Sequence, residues 1–588
     1  MTTSVPVPLA SQPQAPQRKP RTYTPSPWGD FFLHHTPCTP SQLLSMKERA
    51  KVKEQQVRQI IQETMASSNL LRKLELVDTL QRLGVDYRYY EEIDQLLRSV
   101  YDDGDKDGGG SDDLYLTSLR FYLLRKHGYT TSSDVFEKFR DERGSVSSDD
   151  ASCLLMLYDA AHTRTHGEEI LDDIIAWSKS RLQSLLEEKN LEPELAEEVR
   201  CALETPRFRR VKRVEARRYI SAYEKKGGRD GTILEFAKLD YNISQAIYCD
   251  ELKELTVWWK DFQSHIDMRF TRDRLVELHF WMLGVIHEPY YSYSRIMMTK
   301  FFIFGNFFDD LYDNYGTTEE SDVFTAAMER SVTFISNYYT ASIISGVDKI
   351  FTISLIKKIH NDDRWDEQIA HQLSAGLKVL LASILNATNK IEEELKLQGN
   401  MHAELVKKMV IDTAKSYHAE VKWRDEHFVP ATVEDHLQIS IPSSGCMQIT
   451  NLALISSRGN MTTREDVEWV FTFPKIVRGA CIVGRICNDI MSHEREQASL
   501  DHVASTVQTC MKQYGVTTEE ANEKLRAVIE MAWMDIVQDN LEQERPIALL
   551  DTMINVARIA DFIYKREDAY TLSFSLKGII GSMYVYSV

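Results

Sequence analysis

The chain has 588 residues, 43% hydrophobic and 27% charged, with 70 Lys and Arg against 88 Asp and Glu for a formal net charge of −18. Single cores stop growing near about 250–300 residues, so two large domains are expected. That acidity excludes a nucleic-acid-binding role, which needs a basic face, while leaving room for an anionic ligand held by a few local arginines and divalent cations. No apolar run reaches the roughly 18–20 residues of a membrane span, so no membrane role is expected. The eight Cys (Cys38, Cys153, Cys201, Cys249, Cys446, Cys481, Cys487 and Cys510) form no CxxC pair and read as reduced thiols.

Met1–Pro27 is rich in Pro, Ser, Thr and Gln without an apolar core. It reads as a disordered tail (1–27) of a cytoplasmic protein rather than a secretory signal, with a plastid transit peptide as the alternative. From Trp28 onward apolar residues recur at helical spacing, as in Leu70, Leu71, Leu74, Val77, Leu80 and Leu83, which predicts an all-α fold. Asp102–Asp113, with four Gly and six Asp, predicts a surface loop. Asp103, Asp105, Asp107 and Gly108 imitate the opening of a calcium loop, but its twelfth position is Leu114 instead of the bidentate Glu such loops need. "EKKGGRDG" at Glu224–Gly231 separates two long helical stretches, so domains are expected at 28–235 and 236–588. "IPSSG" at Ile441–Gly445 interrupts a helical neighbourhood. Pro442 cannot donate a backbone hydrogen bond and Gly445 loosens the chain, which together predict a kink.

Two clusters carry chemistry. Asp309-Asp310-Leu311-Tyr312-Asp313 follows an aromatic run (Phe301, Phe302, Ile303, Phe304, Phe307, Phe308). On a helix Asp309 and Asp313 share a face, and adjacent carboxylates repel unless a cation sits between them. Hard oxygen ligands with one or two carboxylates per ion suit Mg²⁺. Asn488, Ser492 and Glu496, at i, i+4 and i+8, stack three oxygen donors after the apolar stretch Ile476–Ile486. Arg272 and Arg274 precede the first cluster and Arg485 the second; guanidinium forks suit phosphate oxygens. Taken singly, each cluster has a plain alternative in a solvated helix face or a surface ion pair.

Together these residues resemble the plant terpene synthases. Asp309–Asp313, in "DDLYDNYGTTEE", matches their DDxxD motif, Asn488–Glu496 their (N/D)Dxx(S/T)xxxE motif, and Arg272–Arg274, in "TRDRLVELHFWMLGVIHEP", their RxR motif. "DDLYLTSLRFYLLRKHGY" at Asp112–Tyr129 and "RTYTPSPWGDFF" at Arg21–Phe32 extend the likeness over almost the whole chain. The resemblance implies an N-terminal helical barrel-like domain without chemistry and a C-terminal helical bundle holding three Mg²⁺ ions, with Mn²⁺ as a substitute. Asp309 and Asp313 would bind one pair of metal ions, and Asn488, Ser492 and Glu496 the remaining ion. Arg272, Arg485 and, less directly, Arg274 would meet the diphosphate beside Asp309, Asp313 and Asn488. Trp281 matches the family's pocket tryptophan, and Tyr570, with Asp568 nearby, its lid-loop tyrosine and acid.

Two departures bear on substrate. The family's tandem-arginine element is incomplete, since Arg21 precedes Trp28 without a paired arginine, which favours a cytosolic sesquiterpene type acting on farnesyl diphosphate. No DxDD motif is present, so ionisation started by protonation is not expected. The implied activity is metal-assisted departure of diphosphate, then cyclisation or rearrangement of the cation by a monomeric lyase. A monoterpene synthase acting on geranyl diphosphate is the nearest alternative and an inactive helical scaffold the non-enzyme one. A chain-elongating prenyltransferase would carry a second DDxxD where Asn488, Ser492 and Glu496 stand.

Overall fold

The computed structural model describes residues 25–104, 113–141, 146, 148, 150–189, 191–264, 271–342, 373–456, 462–498 and 503–588. Most of the tail expected at 1–27, and the body of the acidic loop with its calcium-like spacing, lie outside the described residues. Among the described residues the chain is helical without a β-strand; an isolated bridge pairs Arg140 with Val146. The all-α expectation holds.

The helices that build and back the site are, in chain order, α1 (Pro40–Met65), α2 (Gly231–Gln263), α3 (Leu275–Val285), α4 (Ser292–Asp310), α5 (Leu405–Asp425), α6 (Val433–Ser443), α7 (Cys446–Ser456), α8 (Lys475–Gln497), α9 (Thr518–Glu542), α10 (Ile547–Ile563) and α11 (Lys577–Tyr584). Local chemistry sets their starts. Thr39 and Gln42 cap α1 reciprocally with Pro40 in its first turn. Asp230 caps α2 by accepting from the Thr232 and Ile233 amides at 2.8 and 3.1 Å.

The break at Glu224–Gly231 is present, since one helix ends at Lys225 and α2 begins at Gly231. Contacts nevertheless cross it. Helix α1 lies along α2, where Arg49 and Lys53 pair with Glu235 at 2.9 and 2.8 Å. Phe32 meets the α11 residue Tyr584 edge-on at 5.8 Å.

Helix α3 is buried along its whole length, which an apolar helix without a polar stripe requires. It packs tightly on α10: a Cβ on Gly284 would stand 2.6 Å from Ile559, so only glycine allows this approach. A buried ionic cluster ties α2, α3, α4 and α11. Arg295 of α4 donates to both Glu251 oxygens at 2.9 and 2.6 Å and to the Ile286 and Glu288 carbonyls. His279 bridges Glu251 and the Tyr584 hydroxyl, each at 2.8 Å. Burial alone would raise the Glu251 carboxyl, but Arg295 and His279 hold it down at about 2.

Removing one partner of a buried pair strands the other charge. Glu251→Leu is therefore expected to cost on the order of 3–5 kcal/mol, read as a lower urea midpoint at pH 7. Because its folded value is depressed, the stabilisation from Glu251 is full above the ordinary carboxylate range and is lost as pH falls toward 2. An unchanged midpoint in Glu251→Leu would contradict this role.

Candidate active site

Helix α4 carries the chamber wall from floor to mouth. Phe302, Asn306, Asp309 and Asp310 line the cavity in successive turns, and Asp313 follows at the rim. Phe304 faces away and packs on Phe262 at 6.2 Å, so it is core. The acidic motif departs from the regular α-helix expected for it. Leu311–Tyr315 forms a π-helical turn, closed by the Gly316 amide donating to the Leu311 carbonyl at 2.7 Å. Arg424 of α5 donates to the Tyr312 and Gly316 carbonyls, and the Tyr312 hydroxyl bonds Thr325 at 2.6 Å. These partners stabilise a wide turn that local propensity disfavours. Asp309 and Asp313 still both face the cavity.

Helix α8 stands opposite. Its apolar run is buried, and Arg485, Asn488, Asp489 and Glu496 line the cavity. Arg485 donates to Asp489 at 3.0 and 2.6 Å and to the Asn488 amide oxygen at 3.1 Å. The second Asp489 oxygen accepts from the Thr506 amide at 2.7 Å. Asp489 is thus a strut, which leaves Asn488 and Glu496 of the expected triplet on the cavity lining, while Ser492 between them is wholly buried and lies outside that lining.

Between these walls lies a chamber of about 200 Å³. Its depth is apolar and aromatic: Leu278, Trp281 and Met282 from α3, Ile449 from α7, then Tyr564 and Tyr570. The expected kink at Ile441–Gly445 is a full break. Helix α6 ends at Ser443, Gly445 turns the chain at φ +76°, and α7 starts at Cys446. A Cβ at Gly445 would also press within 3.2 Å of the Phe302 ring. Ser443, Ser444 and Cys446 thereby reach the cavity, and Ser443 donates to Glu420 of α5.

The arginines divide in role. Arg272 pairs with Asp309 and Asp310 and donates to the Thr571 hydroxyl at 3.2 Å. Asp310, wholly buried, also accepts from the Thr271 hydroxyl and the Arg272 amide, so the middle acid of the motif anchors this arginine segment to α4. Arg274 is placed differently from its expected substrate contact. It lies outside the cavity lining and donates to the Tyr570 and Thr571 carbonyls at 3.0 and 2.9 Å. Arg495 pairs with Asp568 at 2.6 Å, and Asp568 accepts from the Thr571 amide at 3.0 Å. Three arginines therefore grip the 568–571 turn over the chamber mouth. Tyr570 points inward, with its ring edge-on to Trp281 at 5.6 Å.

The rim acids have too few cations. Burial, reinforced by neighbouring carboxylates, raises Asp309 and pushes Asp313 well up. Glu496 is raised in the same way, and Glu420 is held at about 7. Among the described residues Asp313 Oδ1 is buried without a hydrogen bond, and so is the Ser492 hydroxyl, although it lies near enough to Glu496 to favour its charge. Unsatisfied buried oxygens facing raised carboxylates are what a divalent cation would correct. Among the described residues no three His, Cys, Asp or Glu groups converge into a finished metal cage. Mg²⁺ takes few protein carboxylates and completes its shell with water and substrate phosphates. The donor set fits a hard divalent ion.

Sequence reasoning missed Asn306, Tyr417, Glu420 and Arg495. Asn306 is a lone polar residue in an aromatic run, the other three stand among polar neighbours on their helices, and only tertiary packing turns each toward the chamber. The Arg495 position within the second motif was the one available hint.

An apolar chamber with a carboxylate and arginine rim defines a metal-binding site for a molecule with an apolar tail and an anionic head. Residues 27–203 match the terpene synthase N-terminal domain and residues 260–535 the metal binding domain of the terpene synthase family. The (E)-beta-caryophyllene synthase of Zea mays is 49% identical over 560 residues, covering 95% of this chain and 94% of its own. The (E)-beta-farnesene synthase of Zea mays subsp. huehuetenangensis is 39% identical over 564 residues, covering 96% and 98%. Isoprene synthase from grey poplar (Populus x canescens), solved with three Mg²⁺ ions and dimethylallyl-S-thiolodiphosphate, superposes with a TM-score of 0.79 at 30% identity, covering 92% and 97%. The chain belongs to the terpene synthase family.

If the rim acids repel one another, relieving that repulsion should stabilise the protein while disabling it. Asp313→Asn is expected to raise the thermal midpoint in metal-free buffer and to cut metal-dependent turnover at least about 10²-fold. Wild-type turnover in that variant would remove Asp313 from the metal site.

Proposed function

We propose that the chain is a class I sesquiterpene synthase, a lyase that releases diphosphate from farnesyl diphosphate and converts the resulting cation to sesquiterpene. The observation that carries this reading is the meeting of two oxygen-bearing helix ends, Asp309–Asp313 and Asn488–Glu496, at the mouth of one aromatic chamber. The relatives named as sesquiterpene-forming enzymes support it over the geranyl diphosphate alternative.

Asp309 and Asp313 on one side, with Asn488, Ser492 and Glu496 on the other, would hold three Mg²⁺ ions. Bound there, the ions neutralise the diphosphate and make it a competent leaving group. Arg272 and Arg485 line the cavity beside these acids and would meet the same phosphates. The 568–571 turn screens the mouth from water, which would otherwise trap an allylic cation. Trp281 would offer its ring face to positive charge, with Tyr564 and Tyr570 packed edge-on around it at 5.8 and 5.6 Å. Burial lifts the Tyr570 phenol far above neutral pH, so it acts as a neutral aromatic wall and not as a base.

Gas chromatography of products from purified protein tests the reading. Farnesyl diphosphate with Mg²⁺ should give sesquiterpene, with kcat/KM at least about tenfold above that for geranyl diphosphate, and nothing without metal. A preference for geranyl diphosphate, or diphosphate release in metal-free buffer, would overturn it.

A further inference from the structure

We propose that Asn306 is a specificity-determining positioning residue: its amide fixes the pose of the Tyr570 ring inside the chamber, and that pose selects which folded forms of an apolar substrate fit. The inference rests on the sesquiterpene synthase reading and concerns the same chamber.

Asn306 lies on α4 one turn from Phe302 and one turn before Asp310, midway between apolar floor and acidic rim. It is buried, and an amide in such a wall is unfavourable unless bonded. Its side-chain oxygen accepts the Tyr570 hydroxyl across the cavity. The position of the 568–571 turn does not need that bond. Arg274 holds its carbonyls, Arg272 holds the Thr571 hydroxyl, and Arg495 holds Asp568. The contacts with the ring itself are less directional: Trp281 meets it edge-on at 5.6 Å and 85°, and the Arg272 guanidinium stands 5.7 Å from its centroid. The Asn306 bond is the directional contact that fixes how the phenol is turned. Lengthening or losing it lets the ring swing and reshapes the chamber wall between Phe302 and the acidic rim.

The test compares wild type, Asn306→Leu, Tyr570→Phe and the double variant, each given farnesyl diphosphate and Mg²⁺. Product ratios are read by gas chromatography and total turnover by diphosphate release. Structural damage lowers the amount of active enzyme without changing product ratios, so the ratio reports positioning. Both single variants should reduce the share of the main product at least about twofold, toward one common profile that the double variant shares, because all three lose one bond. A wild-type profile in Asn306→Leu, or additive and distinct profiles in the two singles, overturns the proposal. Should Asn306→Leu fail to fold, Tyr570→Phe decides: it removes one oxygen, and an unchanged profile overturns the proposal by itself. A wild-type protein that makes no terpene removes the underlying reading along with this inference. Normal wild-type products with an unaltered Asn306→Leu profile remove this inference alone.

Discussion

Everything at this site follows from crowding buried and half-buried carboxylates close together. Asp309, Asp313, Glu420 and Glu496 share one cavity mouth, and burial and mutual repulsion push each of them upward. A fold tolerates such a cluster only if cations answer it. Arg272 answers for Asp309 and Asp310, while Arg485 is engaged by Asp489 and Asn488. Among the described residues Asp313 Oδ1 has no hydrogen-bond partner, and Arg485 offsets its burial only in part. The site is thus built unstable by itself and is completed by positive charge, which ties metal binding to recognition of an anionic head group.

The rest of the fold holds the acids there against their repulsion. The wholly buried α3, the Glu251–Arg295–His279 cluster and the tight α3–α10 contact at Gly284 make a rigid back wall. Arg424 and Thr325 secure the π-helical turn that presents Asp313. The grip of Arg272, Arg274 and Arg495 on the 568–571 turn closes the mouth from the other side. One set of arginines therefore works both as counter-charge and as a fastening for the cover.

Much of this was legible in the sequence. Helical spacing predicts the all-α fold, and the two motifs predict the two oxygen-bearing faces, because a side chain's face follows directly from its position on a helix. What was not legible depends on partners far away in the chain. The π-turn depends on Arg424, which reaches the Tyr312 carbonyl from 112 residues onward. The break after Ser443 is sharper than Pro442 alone implies, because Gly445 must also clear the Phe302 ring. Arg274 sits in a phosphate-binding pattern, yet its donors are taken by backbone carbonyls that only the fold brings near. Asn306 and Glu420 lie outside any motif, and nothing local distinguishes them from ordinary polar residues on a helix.

The most direct measurement of the central claim is the thermal midpoint of the full chain under a joint titration with Mg²⁺ and inorganic pyrophosphate. If the clustered acids need cations and an anion shared between them, each ligand must strengthen the other. Saturation at about 100 times the dissociation constant should then add on the order of 3 kcal/mol, seen as a rise of several degrees with both ligands and far less with either alone. A midpoint that responds to neither, or to each independently of the other, would contradict the account.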